Sequence, residues 1–173
     1  MGKRSNSRKL VELLTEKSFT IGSAESMTGG AFTASIIRVH NASKVINKSF
    51  ITYDIDSKVE VLGIDRKIIE EYGVVSKEVA LLMASRAQAL CGATIGVGIS
   101  GYATNTRNND EVFGCFVGIS YLGKLYYNKL SFKGFKGKNI DYTCKIVTSL
   151  ILSILKRDHN GDGNINELDH IGK

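Results

Sequence analysis

Proline is absent from the 173-residue chain, although an average usage of about 5% predicts roughly eight prolines. Its tight turns must therefore be made by Gly, Asn, Asp or Ser. No apolar run approaches the roughly 20 residues that a membrane-spanning helix needs, so no membrane span is expected. The basic N-terminus leads into an amphipathic stretch over residues 9–16 rather than into an apolar core and a cleavage site. No secretory signal is predicted.

Cysteine is also scarce, with only Cys91, Cys115 and Cys144 in the whole chain. Their wide spacing gives neither a paired disulfide framework nor a Cys-x-x-Cys metal site. A reducing, cytoplasmic compartment is expected on these grounds.

Charge is distributed unevenly along the chain. Residues 158–173 carry a net charge of −3, so the total of +6 leaves +9 on residues 1–157. One 22-residue stretch holds six lysines and a single acid, Asp141: Lys124, Lys129, Lys133, Lys136, Lys138 and Lys145. Such a basic stretch suits the phosphate groups of a small ligand or of nucleic acid, although on charge alone a solvated basic face is the better explanation.

Hydrophobic periodicity predicts helices that alternate with strands. Helices are predicted over about residues 6–17, 31–38, 56–62, 65–72, 76–90 and 139–156. Strands are predicted over residues 19–24, 45–53, 93–100, 112–121 and 124–132, with a hairpin at Leu122-Gly123. The order of these elements predicts one three-layer α/β/α domain over residues 1–157 on a mixed sheet, followed by an acidic tail over residues 158–173.

A serine in a strand-to-helix turn is the first candidate for chemistry. Ser26 precedes Thr28, Gly29 and Gly30. The N–H groups at the start of the following helix can hold a phosphate or a developing oxyanion, and glycines let ligand atoms approach the backbone. The same pattern also fits a turn in which Ser26 or Thr28 only caps the helix.

Four short motifs then occur in order: Glu25-Ser-Met-Thr-Gly-Gly, Phe50-Ile-Thr-Tyr-Asp-Ile-Asp-Ser-Lys, Val61-Leu-Gly-Ile and Tyr72-Gly-Val-Val-Ser-Lys-Glu-Val-Ala. Together they resemble the CinA C-terminal domain family, whose pattern is A-E-S-C-T-G-G, a strand ending Y-S-N-x-x-K, L-G-V, and H-G-A-V-S-x-x-V-A. The resemblance extends from about Ser5 to Leu155.

The resemblance implies a single domain with a mixed, mostly parallel five-stranded sheet. It implies hydrolysis of the carboxamide of nicotinamide mononucleotide to nicotinate mononucleotide and ammonia, with no cofactor for catalysis. The partner is then a small pyridine mononucleotide, with no membrane and no nucleic acid expected, and self-association is left open.

The family roles carry over onto matching positions: Ser26 as nucleophile, Lys58 as its base and Tyr53 in their proton network. A lysine can act as a base when desolvation lowers its pKa towards neutrality. The residues expected to bind substrate are Glu25, Thr28, Gly29, Gly30, Ser100, Gly101, Lys136 and Lys138.

The chain departs from the family pattern in two places. The family's G-I-A-G-P-x-G-G is replaced by a segment that begins Ile99-Ser-Gly-Tyr-Ala, so Tyr102 is expected to intrude where the family has a small residue. The family's F-S-G-D-R is replaced by Phe132-Lys-Gly-Phe-Lys-Gly-Lys, which lacks the arginine. These changes keep a second hypothesis open: a catalytically degenerate relative that binds a nucleotide or a protein.

The tail matches the spacing of an EF-hand-type calcium loop and also resembles a single dockerin repeat. Oxygen ligands fall at the required positions, with a turn glycine at Gly163: Asp158, Asn160, Asp162, Asn164 (by its carbonyl), Asn166 and Asp169. A calcium ion is therefore predicted at this loop. A disordered acidic tail is the alternative.

Overall fold

The computed structural model describes residues 5–104 and 113–159. Within these ranges six α-helices and five strands follow one another: α1 (Asn6–Lys17), β1 (Ile21–Glu25), α2 (Ala31–Ile37), β2 (Ser49–Ile51), α3 (Ile55–Leu62), α4 (Arg66–Tyr72), α5 (Lys77–Cys91), β3 (Ile95–Gly101), β4 (Gly114–Tyr121), β5 (Lys124–Ser131) and α6 (Lys136–His159). This order confirms the predicted alternation of helices and strands.

Short polar side chains and glycines set the helix ends. Four helices begin at a side chain that accepts a main-chain N–H from their first turn: Ser5, Asp54, Asp65 and Ser76. Helices α3 and α5 end at Gly63 and Gly92, whose φ angles of 65° and 59° lie in the left-handed region that glycine adopts without strain. The chain thus turns without proline, as its composition predicts.

The five strands form one sheet in the order β2-β1-β3-β4-β5. The pairs β1–β2 and β1–β3 are parallel, whereas β3–β4 and β4–β5 are antiparallel. Four of the five strands therefore run in one direction, which confirms the mixed, mostly parallel sheet. The predicted hairpin is present, with positive φ angles of 49° at Leu122 and 74° at Gly123, as its two-residue turn requires.

The connections of β1 create a crevice at one edge of the sheet. From β1 the chain passes to β2 on one side, and from β2 it crosses back to β3 on the other side of β1. From β3 it continues to β4, away from β1, so the connections that follow β1 and β3 leave in opposite directions. Neighbouring parallel strands whose connections leave in opposite directions leave a gap beyond their carboxyl ends, where α/β proteins commonly bind ligands. Here that gap lies beyond Glu25 and Gly101, the last residues of β1 and β3.

Helices cover both faces of the sheet. Helices α1, α2 and α6 contact one another on one face, and α5 packs on the other with α3 and α4 beside it. On the α5 face the strands present a row of residues without side chains: Gly22, Gly96, Gly98 and Gly118. A Cβ built on Gly98 would lie 2.2 Å from the carbonyl oxygen of Ala80, so α5 lies directly on the backbone of the sheet.

The predicted strand over residues 45–53 is only partly correct. Its ladder is confined to the three residues of β2, and a 3₁₀ turn over Ala42–Lys44 precedes it. Val45 and Ile46 are buried, but their N–H groups bond back to the carbonyl of Ala42 rather than to a neighbouring strand. Burial in a loop produces the same β-branched, apolar pattern as a strand. The last helix also extends about three residues beyond its predicted bounds at both ends.

Within the described ranges no helix combines the length and the hydropathy needed to span a membrane. All three cysteines are buried and none forms a disulfide.

We expect Gly98→Ala to lower the free energy of unfolding by about 3 kcal/mol. The new methyl group would overlap backbone atoms of α5, and these cannot move aside as the end of a flexible side chain could. The control is Gly137→Ala in α6, where a Cβ meets nothing within 4 Å. That change should be neutral or stabilise by about 0.5 kcal/mol. Denaturant unfolding measures both, and equal effects would contradict the close approach of α5 to β3.

Candidate active site

Ser26 lies at the mouth of the crevice, directly after β1. Its N–H donates to the carbonyl of Ile99 at 3.0 Å, which continues the pairing of β1 with β3 by one residue. The side chain is 6% exposed and lines a cavity of about 530 Å³, a volume within the range of small-molecule sites.

Glu25 holds the turn that carries Ser26. Its side chain is fully buried, and its two carboxylate oxygens accept hydrogen bonds of 2.7–3.1 Å from the N–H groups of Gly30, Phe32 and Thr33 and from the hydroxyls of Thr28 and Thr33. A carboxylate satisfies the unpaired N–H groups at a helix N-terminus and is favoured there by the helix dipole. Glu25 therefore joins the end of β1 to the start of α2.

Glycines make this turn because the backbone enters the left-handed region twice. Gly29 and Gly30 have φ angles of 55° and 95°. With Glu25 and Thr28 they belong to the structural turn, and none of the four lines the cavity in the described part of the chain. The structure thus places the four residues in the turn, and a role for them in substrate binding stays a prediction. The N–H groups expected to receive a phosphate at the start of α2 already bond to Glu25.

Two other main-chain donors of the turn have no partner in the part of the chain that the structure describes. The N–H groups of Met27 and Thr28, the two residues after Ser26, make no hydrogen bond within the described residues. Met27 also lines the cavity. Donors that follow a nucleophile in a tight turn are placed to stabilise the oxyanion that forms on a carbonyl oxygen when the nucleophile attacks the carbonyl carbon.

Lys58 projects from α3 and is fully buried. Its Nζ lies 3.3 Å from Ser26 Oγ and also donates to the carbonyls of Thr52, Asp54 and Tyr53, at 2.7, 3.3 and 3.4 Å. Burial lowers the pKa of Lys58 from 10.5 to about 8, against the smaller opposing effect of the Asp54 carboxylate. The predicted nucleophile and base therefore meet, and the base titrates near neutrality.

Tyr53 enters this network through its backbone. Its carbonyl accepts from Ser26 Oγ at 3.3 Å and from Lys58 Nζ at 3.4 Å. Its side chain is 64% exposed and lines the cavity, and the phenol makes no hydrogen bond within the described residues. The structure thus brings Tyr53 to the pair through its main chain rather than its hydroxyl, and its predicted catalytic role stays a prediction.

The rest of the cavity mixes predicted and unpredicted residues. Ser100, Gly101 and Lys136 line it as predicted, whereas Lys138 does not among the residues described. Ser100 is itself committed to the structure, because its hydroxyl donates to the carbonyl of Val74 at 2.6 Å. Tyr102, 53% exposed, also lines the cavity, as its expected intrusion requires.

Sequence reasoning missed three charged groups of the cavity: Asp54, Asp56 and Arg66. Asp54 begins α3 by accepting from the N–H of Ser57 at 2.8 Å, and this bond holds the pKa of its carboxyl below the ordinary value. Its place before a predicted helix was a signal that could have found it. Arg66 donates to Asp56 at 2.5 Å from the next helix, a contact that no local pattern indicates.

Only the first predicted calcium ligand falls in the described ranges. Asp158 is exposed in the last turn of α6, and one of its oxygens accepts from the hydroxyl of Tyr121 at 2.8 Å. The remaining predicted ligands lie outside the described residues: Asn160, Asp162, Asn164, Asn166 and Asp169. The calcium loop stays a prediction.

Fold and site together define an α/β protein with a buried serine–lysine pair at the crevice of its sheet. The model of the CinA C-terminal domain family matches residues 3–155. The chain belongs to this family.

Curated relatives agree with that assignment. The chain is 35% identical over 144 residues to a "CinA-like protein" of Dictyoglomus thermophilum, covering 82% of this chain and 35% of the relative. It is 38% identical over 128 residues to a "CinA-like protein" of Kosmotoga olearia, covering 74% of this chain and 30% of the relative. The chain thus spans about a third of the length of these relatives.

Solved structures share the fold. A competence or damage-inducible protein from Enterobacter asburiae superposes with a TM-score of 0.83 at 20% identity, over 88% of this chain and 99% of that one. A CinA superfamily protein from Escherichia coli gives a TM-score of 0.80, also at 20% identity, over 86% of this chain and 88% of that one.

We expect Glu25→Gln to lower the free energy of unfolding by at least about 2 kcal/mol. The amide turns a donor towards the N–H groups of α2 and removes the charge that bonds to them. Glu60→Gln, an exposed change on α3, is the matched control and should alter stability by less than about 0.5 kcal/mol. Denaturant unfolding distinguishes the two, and an unchanged midpoint for Glu25→Gln would contradict the structural role of this carboxylate.

Proposed function

We propose that the chain hydrolyses the carboxamide of nicotinamide mononucleotide, giving nicotinate mononucleotide and ammonia. The observation that carries this proposal is the contact between Lys58 Nζ and Ser26 Oγ, 3.3 Å apart, with the lysine wholly removed from water. The substrate follows from the family motifs, which recur in order around this pair.

In the proposed reaction Lys58 first takes the proton of Ser26. With a pKa of about 8, Lys58 is neutral in roughly a tenth of the molecules at pH 7. The neutral amine has a lone pair for the serine hydroxyl, while its own N–H groups donate to the carbonyls of Thr52 and Asp54. Those carbonyls hold Nζ in place and stabilise the ammonium ion once the proton has moved.

Ser26 Oγ then bonds to the amide carbon, and the carbonyl oxygen becomes an oxyanion. The proposed donors to it are the N–H groups of Met27 and Thr28, which make no hydrogen bond among the residues described. Lys58 returns the proton to the amide nitrogen, the C–N bond breaks, and ammonia leaves an ester on Ser26. Water deprotonated by Lys58 attacks that ester, which releases the carboxylate and restores the serine.

The lining of the cavity suits a ligand that carries both a positive and a negative charge. The exposed rings of Tyr53 and Tyr102 offer faces to a pyridinium cation, and the Asp54 carboxylate lies on the same lining. Arg66 and Lys136 offer positive charge to a phosphate. A pyridine mononucleotide carries both charges, which supports it as the substrate.

We expect the purified chain to release ammonia from nicotinamide mononucleotide. Ser26→Ala and Lys58→Ala should each reduce turnover by at least about a thousandfold, because nucleophile and base act as a unit. The exposed changes Ser43→Ala and Lys67→Ala are matched controls and should leave turnover unchanged. Circular dichroism checks the fold of each variant. A folded chain that binds the mononucleotide without releasing ammonia would overturn the proposal and favour a binding relative of the family.

The pH dependence of the same reaction is a separate prediction. The reactive form of Lys58 is unprotonated, so kcat/KM should rise about tenfold per pH unit below pH 8 and level off above it. Asp54→Asn removes the carboxylate that raises the pKa of Lys58, so it should move the profile to lower pH. A midpoint near the ordinary lysine value of 10.5, or a rate that falls as pH rises through 8, would contradict the assignment of Lys58 as the base.

A further inference from the structure

Arg66 is a cation of the cavity to which the catalytic steps give no role. It is the first residue of α4, and its helix begins at the side chain of Asp65. Its Nη2 donates to Oδ1 of Asp56, which lies in the first turn of α3. Two helix starts thus bring a guanidinium and a carboxylate together on the lining of the cavity that holds Ser26.

The guanidinium has capacity for a second anion. An arginine side chain carries five N–H donors in a planar fork, and one of those of Arg66 bonds to Asp56 in the described part of the chain. The side chain of Arg66 is 49% exposed, so its remaining donors are accessible. A guanidinium oriented from one side by a carboxylate presents its other edge to two oxygens of a phosphate.

The charge balance of the cavity depends on this residue. Among the described residues of the lining, Asp54 and Asp56 contribute two negative charges, and Arg66 and Lys136 contribute two positive charges. Without Arg66 this described part of the lining would carry net negative charge, which repels a phosphate. The backbone donors at the start of α2 cannot compensate, because Glu25 already occupies them.

We propose that Arg66, oriented by Asp56, binds the phosphate of the mononucleotide and so selects the phosphorylated substrate over the free riboside. This inference rests on the proposed function, since it assigns the phosphate of that substrate. Arg66 contacts the ligand in this arrangement, and Asp56 is a positioning residue that acts through the guanidinium.

The test compares nicotinamide mononucleotide with nicotinamide riboside, which lacks the phosphate. We expect Arg66→Gln to raise KM for the mononucleotide about 10- to 100-fold, with kcat nearly unchanged and the parameters for the riboside unaffected. Arg66→Lys keeps the charge without the fork and should give an intermediate KM. Asp56→Asn should raise KM for the mononucleotide less than Arg66→Gln does, again without affecting the riboside.

The matched control is Arg38→Gln, which removes the same charge from an exposed residue that does not line this cavity among the residues described. It should leave both substrates unaffected. An Arg66→Gln variant that keeps the wild-type ratio of KM values for mononucleotide and riboside would overturn the inference while the proposed function stands. Loss of kcat for both substrates would also overturn it, because that result indicates a structural role.

A binding measurement separates failure of this inference from failure of the proposed function. If the wild-type chain hydrolyses neither compound, calorimetry with ribose 5-phosphate and ribose replaces kinetics. Binding of ribose 5-phosphate that weakens at least about tenfold in Arg66→Gln, with Arg38→Gln unchanged, supports the phosphate site alone. Equal binding to the wild type and Arg66→Gln, or no binding to either, overturns it.

Discussion

The rest of the site depends on the hydrogen bonds that the buried carboxylate of Glu25 accepts. A fully buried charge is costly unless hydrogen bonds satisfy it, and here donors from both the backbone and the side chains of the following turn and helix do so. Glu25 thereby fixes where β1 ends, how the chain turns and where α2 starts. Ser26 takes its position from this arrangement, because it lies between the strand and the turn that Glu25 joins.

The same carboxylate determines where an anion can bind. Helix N-termini are common phosphate sites, but the N–H groups of α2 are already bonded within the protein. Positive charge in the cavity therefore comes from side chains, from Arg66 at the start of α4 and Lys136 at the start of α6. The main-chain N–H groups of the turn that make no hydrogen bond in the described part of the chain are those of Met27 and Thr28, beside the serine rather than at the helix end.

Burial also lowers the pKa of Lys58. A lysine removed from water favours the neutral form, and the nearby Asp54 carboxylate offsets only part of that effect. All three carbonyls come from the segment between β2 and α3, residues 52–54. The short edge strand thus delivers a loop whose backbone, rather than its side chains, surrounds the amine. This arrangement explains why Tyr53 contacts the pair through its main-chain carbonyl.

The amino-acid sequence by itself determined the alternation of elements and the mixed sheet, and its resemblance to a known family implied the pairing of Ser26 with Lys58. Periodicity and short motifs are local features. They are the same in any fold that buries the same faces of these elements, so they can be recognised without the tertiary structure. The tertiary structure decided the contributions of Glu25, Tyr53, Asp56 and Arg66. Whether a carboxylate meets a substrate or a helix N-terminus, and whether Arg66 meets Asp56, depends on how separate helices pack against one sheet edge. Spacing along a chain does not encode such distances, because packing of the whole core sets them.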